Sequence, residues 1–221
     1  MSELTLAIDT STRVAAGLAR DEQPLASWLV GDSRSHVELL ATTIRDGLAQ
    51  GGWALSDVTR IGVGVGPGPY TGLRVGIATA QTLGLALNVP VTGVCSLDVI
   101  ALQHADRQPP DGEFLVVSDA RRHEVYWARY DMTGLRLDGP FVGLPDDLPH
   151  LPVVGPGVET YPSLGDDALT IDAGVLAASL DRLPSIGLEP LYLRQPDADQ
   201  THTRKSAIAG GRLRLPLDVT P

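Results

Sequence analysis

The segment Gly64-Val65-Gly66-Pro67-Gly68-Pro69-Tyr70-Thr71-Gly72-Leu73-Arg74 has the residue types and spacing of an anion site. An apolar strand would deliver a glycine loop to a helix N-terminus, where unpaired backbone N–H groups and the helix dipole favour negative charge. Gly66 and Gly68 allow close backbone approach to a phosphate or to another stretch of chain. Thr71 is placed to N-cap the helix, and Arg74 lies in its first turn, where it can pair with a carboxylate or phosphate. The pattern is not a dinucleotide fingerprint: the position five residues after Gly62, Gly64 and Gly66 holds Pro67, Pro69 and Thr71. It is not a Walker loop either, because no lysine follows. A tight strand-to-helix turn with close packing accounts for the same spacing equally well.

Asp9-Thr10-Ser11 and Asp119-Ala120-Arg121 each follow an apolar run, Leu4 to Ile8 and Phe114 to Ser118. An acid at a strand end can hold a metal-bound water or a phosphate, or it can cap its own turn. The five histidines, His36, His104, His123, His150 and His202, have none of the close spacings used for zinc, and Cys95 is the single cysteine. No Gly-x-Ser-x-Gly elbow places a nucleophile.

The elements that would position these residues can be read from apolar periodicity. Strands are expected at Leu4 to Ile8, Thr12 to Ala19 and Pro24 to Val30. A helix from Val37 to Leu48 would be opened by a Ser35–Glu38 capping box and stopped by Gly51-Gly52. A strand over Ile61 to Val65 enters the glycine loop, and a helix from Thr71 to Leu87 leaves it. Val91 to Val94 is a further strand, and Ser96 N-caps a helix running to Asp106. Gln108-Pro109-Pro110-Asp111-Gly112 reads as a linker, after which the pattern restarts. Phe114 to Ser118, Glu124 to Tyr130 and Leu135 to Val142 are strands, Gly155-Pro156-Gly157 is a second loop, and Gly174 to Leu183 is a helix. The halves form a weak internal repeat. They suggest a first lobe over 1–107, a second over 108–194 and a loosely held tail over 195–221.

Composition narrows the chemistry. Across 221 residues there are 17 Lys plus Arg against 27 Asp plus Glu, a net charge of −10, and Lys205 is the only lysine. Direct, strong nucleic-acid binding through a basic face is therefore not expected, nor is P-loop or Schiff-base chemistry. The longest uncharged stretch, Val75 to Leu97, contains Asn88 and Pro90 and reads as buried elements rather than a membrane span. With no leader-like start and one cysteine, a cytoplasmic protein is expected. From Val75 to Leu87 the helix carries no charge, and Gly76, Ala78, Ala80, Gly84 and Ala86 are small. A helix apolar on every side must be covered on every side, so one face is expected to meet the sheet and the other a protein partner, the alternative being a central helix between the two lobes.

Ile8-Asp9-Thr10-Ser11, Ser35-His36-Val37-Glu38-Leu39-Leu40, the run Gly66 to Gly76, Asp119-Ala120-Arg121, Glu124-Val125-Tyr126 and Tyr192-Leu193-Arg194 occur in the order of the TsaB (YeaZ) family. This resemblance spans Leu4 to Arg194. It departs at Pro69-Tyr70, where the family usually has Ser-Phe; the proline removes a backbone donor and weakens an anion site there. The resemblance implies an α/β, two-lobe actin-like and Hsp70-like (ASKHA, ribonuclease H-like) fold, each lobe a mixed sheet flanked by helices. It implies a scaffold subunit with no activity of its own, binding and activating a TsaD-like transferase in threonylcarbamoyladenosine modification of tRNA. A TsaE-like ATPase would join, and a homodimer would form when the transferase is absent. TsaD-like proteins carry a histidine metal pair where this chain has Ser96 and Ile100, so no metal is expected. Partner contact would fall on the first two helices, with His36, Leu40, Ile44, Ile77, Ala80, Gln81 and Leu85 near it. No tightly bound cofactor is implied. ATP or ADP at the partner interface stays open, with Asp9, Thr10, Ser11, Gly66, Gly68, Thr71 and Arg74 as the candidate contacts. The competing expectation is an independent ATP-binding phosphotransferase of the actin-like kinase fold, using Asp9, Thr10, Gly66 and Gly68 to hold Mg-ATP.

Overall fold

The computed structural model describes residues 2–30 and 36–194, with the backbone alone for 36–38. The elements in chain order are β1 (Leu4–Asp9), β2 (Ala15–Arg20), β3 (Gln23–Leu29), α1 (His36–Gly51), β4 (Arg60–Gly64), α2 (Tyr70–Leu87), β5 (Val91–Val94) and α3 (Ser96–Arg107). There follow β6 (Phe114–Asp119), β7 (Val125–Tyr130), β8 (Arg136–Gly143), β9 (Val153–Val154), α4 (Gly157–Thr160) and α5 (Ala173–Ala178). The Ser35–Glu38 capping box and the tail from 195 to 221 lie outside the described residues.

Two mixed sheets result, with strand orders β3-β2-β1-β4-β5 and β8-β7-β6-β9. In the first, β1 is antiparallel to β2 and parallel to β4, with Ile8 opposite both Ala16 and Val63. In the second, β6 is antiparallel to β7 and parallel to β9. The order β8-β7-β6-β9 thus repeats β3-β2-β1-β4, and the internal repeat is structural. Parallel pairs need crossovers, which α1 and α2 supply in the first sheet. This is the two-lobe actin-like, Hsp70-like architecture.

Strand alternation sorts the apolar side chains into layers. Leu6, Ile8, Leu18, Ile61 and Val63 pack outward against Leu40, Ile44, Leu73 and Ile77 of α1 and α2. On the other side, Ala7 and Ala19 face a core shared with Ile100 and Leu102 of α3, Leu176 of α5, and Phe114, Val116 and Tyr130 of the second sheet. Helices α3 and α5 are therefore sandwiched between the sheets. A Cβ on Gly17 of β2 would stand 2.7 Å from the Ala173 carbonyl oxygen, so the missing side chain lets α5 seat directly on the strand. Leu115, Val117 and Val125 form a smaller core on the outer face of the second sheet.

Expected boundaries moved at β2 and α5. β2 starts at Ala15 rather than Thr12, because residues 11–13 form a bend after Asp9. α5 spans Ala173–Ala178, shorter than expected, and is N-capped by Asp172, whose carboxylate accepts from Gly174 and Val175 N–H. Helix α2 is covered on one side only: Leu73, Gly76, Ile77, Ala80 and Gly84 are buried, while Leu85 is 85% exposed. Among the described residues no helix is long and apolar enough to cross a membrane.

Candidate functional site

Asp9 ends β1 and is 1% exposed. Its Oδ1 accepts from Ser11 N–H at 2.8 Å and from Ser11 Oγ at 2.7 Å. Its Oδ2 accepts from Ser96 Oγ at 2.6 Å. Ser96 Oγ in turn accepts from Gly66 N–H at 3.2 Å. One carboxylate therefore ties together the ends of β1, the glycine loop and α3. Burial pushes the Asp9 pKa above the usual carboxylate value, outweighing the three bonds that favour its charge. Ser96 was expected to N-cap α3; instead the cap position is Cys95, without a side-chain bond, because the Ser96 hydroxyl is drawn to Asp9.

The glycine loop is closed by the chain itself. A Cβ on Gly64 would overlap Asp9 Oδ2 and lie 2.7 Å from Ser96 Oγ. On Gly68 it would lie 2.6 Å from Ser11 O, on Gly72 2.7 Å from Thr10 O, and on Gly76 it would overlap Thr10 Oγ1. Thr10 Oγ1 also donates to Gly72 O at 2.8 Å. Of the two readings left open by the spacing, close packing of chain on chain is the one these contacts support. Asp9, Thr10 and Ser11 are all 5% exposed or less, and the void beside Asp9 measures about 10 Å³, barely a water. Gly66 adopts φ +107°, the left-handed side that glycine tolerates. Thr71, expected as the N-cap, lies inside α2; Pro69 occupies the cap position and Tyr70 the first helical one.

Arg74 is committed elsewhere than to an anion. Its Nε donates to Tyr192 Oη at 2.9 Å, and its Cζ sits 4.0 Å from the Tyr70 ring centroid. Tyr70 and Tyr192 stack with centroids 5.0 Å apart and planes 19° from parallel. Tyr192 arrives there because the last described segment runs back along the first sheet: Ser185 bridges Val94, Ile186 N–H donates to Gly93 O, and Leu191 N–H donates to Val65 O. Arg194 then pairs with Glu124. Nothing local in Tyr192-Leu193-Arg194 signals this role, because its contact with Arg74 of α2 is 118 residues away along the chain.

Asp119 caps its own turn: Oδ1 accepts from Arg121 N–H at 2.8 Å and Oδ2 pairs with Arg121 Nη1 at 3.2 Å. A second buried polar cluster was not foreseen. Asp98, 2% exposed, accepts from Tyr130 Oη at 2.8 Å and lies 3.4 Å from Arg136 Nε. Burial raises its pKa more than the Arg136 guanidinium and the Tyr130 hydroxyl lower it, and burial also pushes the Cys95 thiol up to about 12.

Of the two positions matched to a metal pair, Ser96 offers a hydroxyl already bonded to Asp9, and Ile100 an alkyl chain in the inter-sheet core. That donor set does not fit a metal ion. Among the described residues no three His, Cys, Asp or Glu side chains converge on one point.

The residues assigned to a partner interface divide into two groups. Leu40, Ile44, Ile77 and Ala80 are 1%, 4%, 4% and 0% exposed and belong to the outer core. Gln81 and Leu85 are exposed, and the side chain of His36 lies outside the described residues. An apolar groove of about 380 Å³ runs between the helices, lined by Ala41, Ile44, Leu48, Trp53, Thr79 and Leu83 among others. Ala41 and Thr79, rather than Leu40 and Ala80, are therefore the side chains that reach its surface.

Known proteins resemble this chain as follows. The family model for TsaD, tRNA N6-adenosine threonylcarbamoyltransferase, matches residues 32–142. An uncharacterized Mycobacterium leprae protein is 41% identical over 228 residues, covering 98% of this chain and 61% of the relative, so the chain spans about three-fifths of that protein's length. The Escherichia coli tRNA threonylcarbamoyladenosine biosynthesis protein TsaB is 31% identical over 194 residues, 81% of this chain and 84% of the relative. The solved structure of YeaZ from Pseudomonas aeruginosa superposes with a TM-score of 0.69 at 27% identity, over 86% of this chain and 100% of that one.

Proposed function

Because the chain belongs to the TsaB (YeaZ) family, we propose that it is a scaffold subunit of tRNA threonylcarbamoyladenosine synthesis that binds and activates a TsaD-like transferase in the cytoplasm. The observation that carries this reading is the uncovered outer side of α2 beside the apolar α1/α2 groove, with Leu85 at 85% exposure. A large aliphatic side chain left in water on the uncharged stretch from Val75 to Leu87, with an apolar groove along the same helix, supports docking there. The closed glycine loop and the internally bonded Asp9 count against an independent phosphotransferase, since each Asp9 oxygen already accepts from a serine. We assign transfer chemistry to the partner and none to this chain. The same face serves self-association when the transferase is absent. A TsaE-like ATPase joins the assembly, and any ATP or ADP lies between subunits.

Calorimetry of the purified chain against a TsaD-like subunit, with Leu85→Arg as the variant, tests this. Expected are binding by the wild type and loss of binding by a variant with an unchanged melting curve. Transferase activity by the isolated chain, or undiminished binding by Leu85→Arg, would overturn the reading.

A further inference from the structure

Helix α2 exposes more than an apolar patch. Besides Thr71, Thr82 and Ala86, its exposed positions are Tyr70, Arg74, Ala78, Gln81 and Leu85, and these five recur at intervals of three and four. At 100° per residue they fall within an arc of about 80°, a single stripe roughly 22 Å long. The stripe is apolar at the Leu85 end and aromatic and cationic at the Tyr70 end. The cation is held differently from most others in this acidic chain. Arg13, Arg45, Arg60, Arg121, Arg129, Arg136, Arg182 and Arg194 each pair with a carboxylate. Arg74 has no carboxylate partner among the described residues. It is held by neutral groups instead: Tyr70 beneath its plane at 4.0 Å and Tyr192 Oη on its Nε at 2.9 Å. Those contacts hold the guanidinium by its face and its Nε, and neither uses its terminal N–H groups. An oriented fork of this kind fits a carboxylate in two-point geometry. Rigid Tyr and Arg side chains are also the residue types that most often dominate binding energy at protein interfaces.

We propose that Tyr70, Arg74 and Tyr192 form the polar anchor of the docking stripe, and that the partner protein places an Asp or Glu carboxylate on Arg74. This rests on the docking reading above and names its specificity element. A protein carboxylate is favoured over an RNA phosphate for two reasons: the stripe continues into Ala78 and Leu85, and the neighbouring cation Arg194 is already paired with Glu124. The segment that carries Tyr192 back to α2 is thereby a positioning element for the anchor.

The test compares Arg74→Ala, Arg74→Lys, Tyr192→Phe and Leu85→Arg with wild type, by calorimetric titration with the TsaD-like subunit at two salt concentrations. Melting curves control for folding. Arg74→Ala should weaken binding about tenfold or more and flatten its salt dependence. Arg74→Lys should recover only part of it, because an ammonium neither forks nor stacks in the same way. Tyr192→Phe removes only the brace and should give a smaller loss; it is the fallback should Arg74→Ala fold poorly. Wild-type affinity for both Arg74 variants with binding lost in Leu85→Arg overturns the anchor and leaves the docking reading standing. Unchanged binding in all four variants defeats the docking reading itself. The anchor is also overturned if Arg74→Ala loses tRNA retention or self-association while binding the transferase normally.

Discussion

Ser96→Ala probes the link between the two ends of the Asp9 site. The hydroxyl makes two buried bonds, to Asp9 Oδ2 at 2.6 Å and from Gly66 N–H at 3.2 Å. Its removal strips a charged acceptor of one donor, worth about 1.5–3 kcal/mol, and orphans a buried N–H, worth about 1–3 kcal/mol. A loss of about 2.5–6 kcal/mol in a chain of this size lowers Tm by roughly 5–24 °C. The loss must also depend on pH. Burial already holds the folded-state pKa of Asp9 above its usual 3.8, so ionising Asp9 costs stability as the pH rises above that value. The Ser96 bond lowers this pKa; without it the folded value climbs further. The extra penalty is therefore absent where Asp9 is protonated and grows as pH rises through the wild-type folded value. Melting followed by circular dichroism over a pH series should show a Tm difference between variant and wild type that is smallest in acid and never narrows as pH rises. A difference below about 2 °C throughout the series, or one that narrows as pH rises, would refute the account of Asp9 as a buried carboxyl held by Ser96.

Three further outcomes follow from burial. Ala80→Arg forces a charge into the core under α2 and should cost more than about 4 kcal/mol, whereas Leu85→Arg on the same helix should change stability by no more than about 0.5 kcal/mol, both read from urea unfolding. Tyr130→Phe deletes the hydroxyl that donates to Asp98 and should destabilise by about 1.5–3 kcal/mol in the same assay, with Arg136 still beside the carboxylate. Cys95, 0% exposed and with its thiol raised to about 12, should give no reaction with a thiol reagent at pH 8 in the native protein and one equivalent after denaturation.

Much of the architecture is legible in the residues. Leu4 to Ile8 and Phe114 to Ser118, each ending in an aspartate, mark the leading strands of two similar halves, and those strands occupy matching places in their sheets. The Gly64–Arg74 run marks a strand, a loop and a helix, and all three are there. What the run is for was not legible. The same glycines admit a phosphate or a neighbouring strand end, and only the approach of Thr10 and Ser11 to Gly68, Gly72 and Gly76 separates the two. Ser96 had the local signature of an N-cap, but a buried carboxylate 87 residues away competes for its hydroxyl more strongly than a helix N–H does.

The sequence by itself determined the periodic elements, the break at Gln108 to Gly112 and the charge balance, because these depend on composition and near neighbours. It also determined that α2 is uncharged from Val75 to Leu87. Tertiary structure alone decided which of its faces is covered: Ala80 lies under the outer core and Leu85 in water, although both are small or apolar on one helix. It alone decided that Arg74 stacks on Tyr70 and meets Tyr192, since that contact depends on how the last described segment folds back over β4 and β5. Periodicity reports that a face is apolar, whereas what covers that face is set by residues brought from far along the chain.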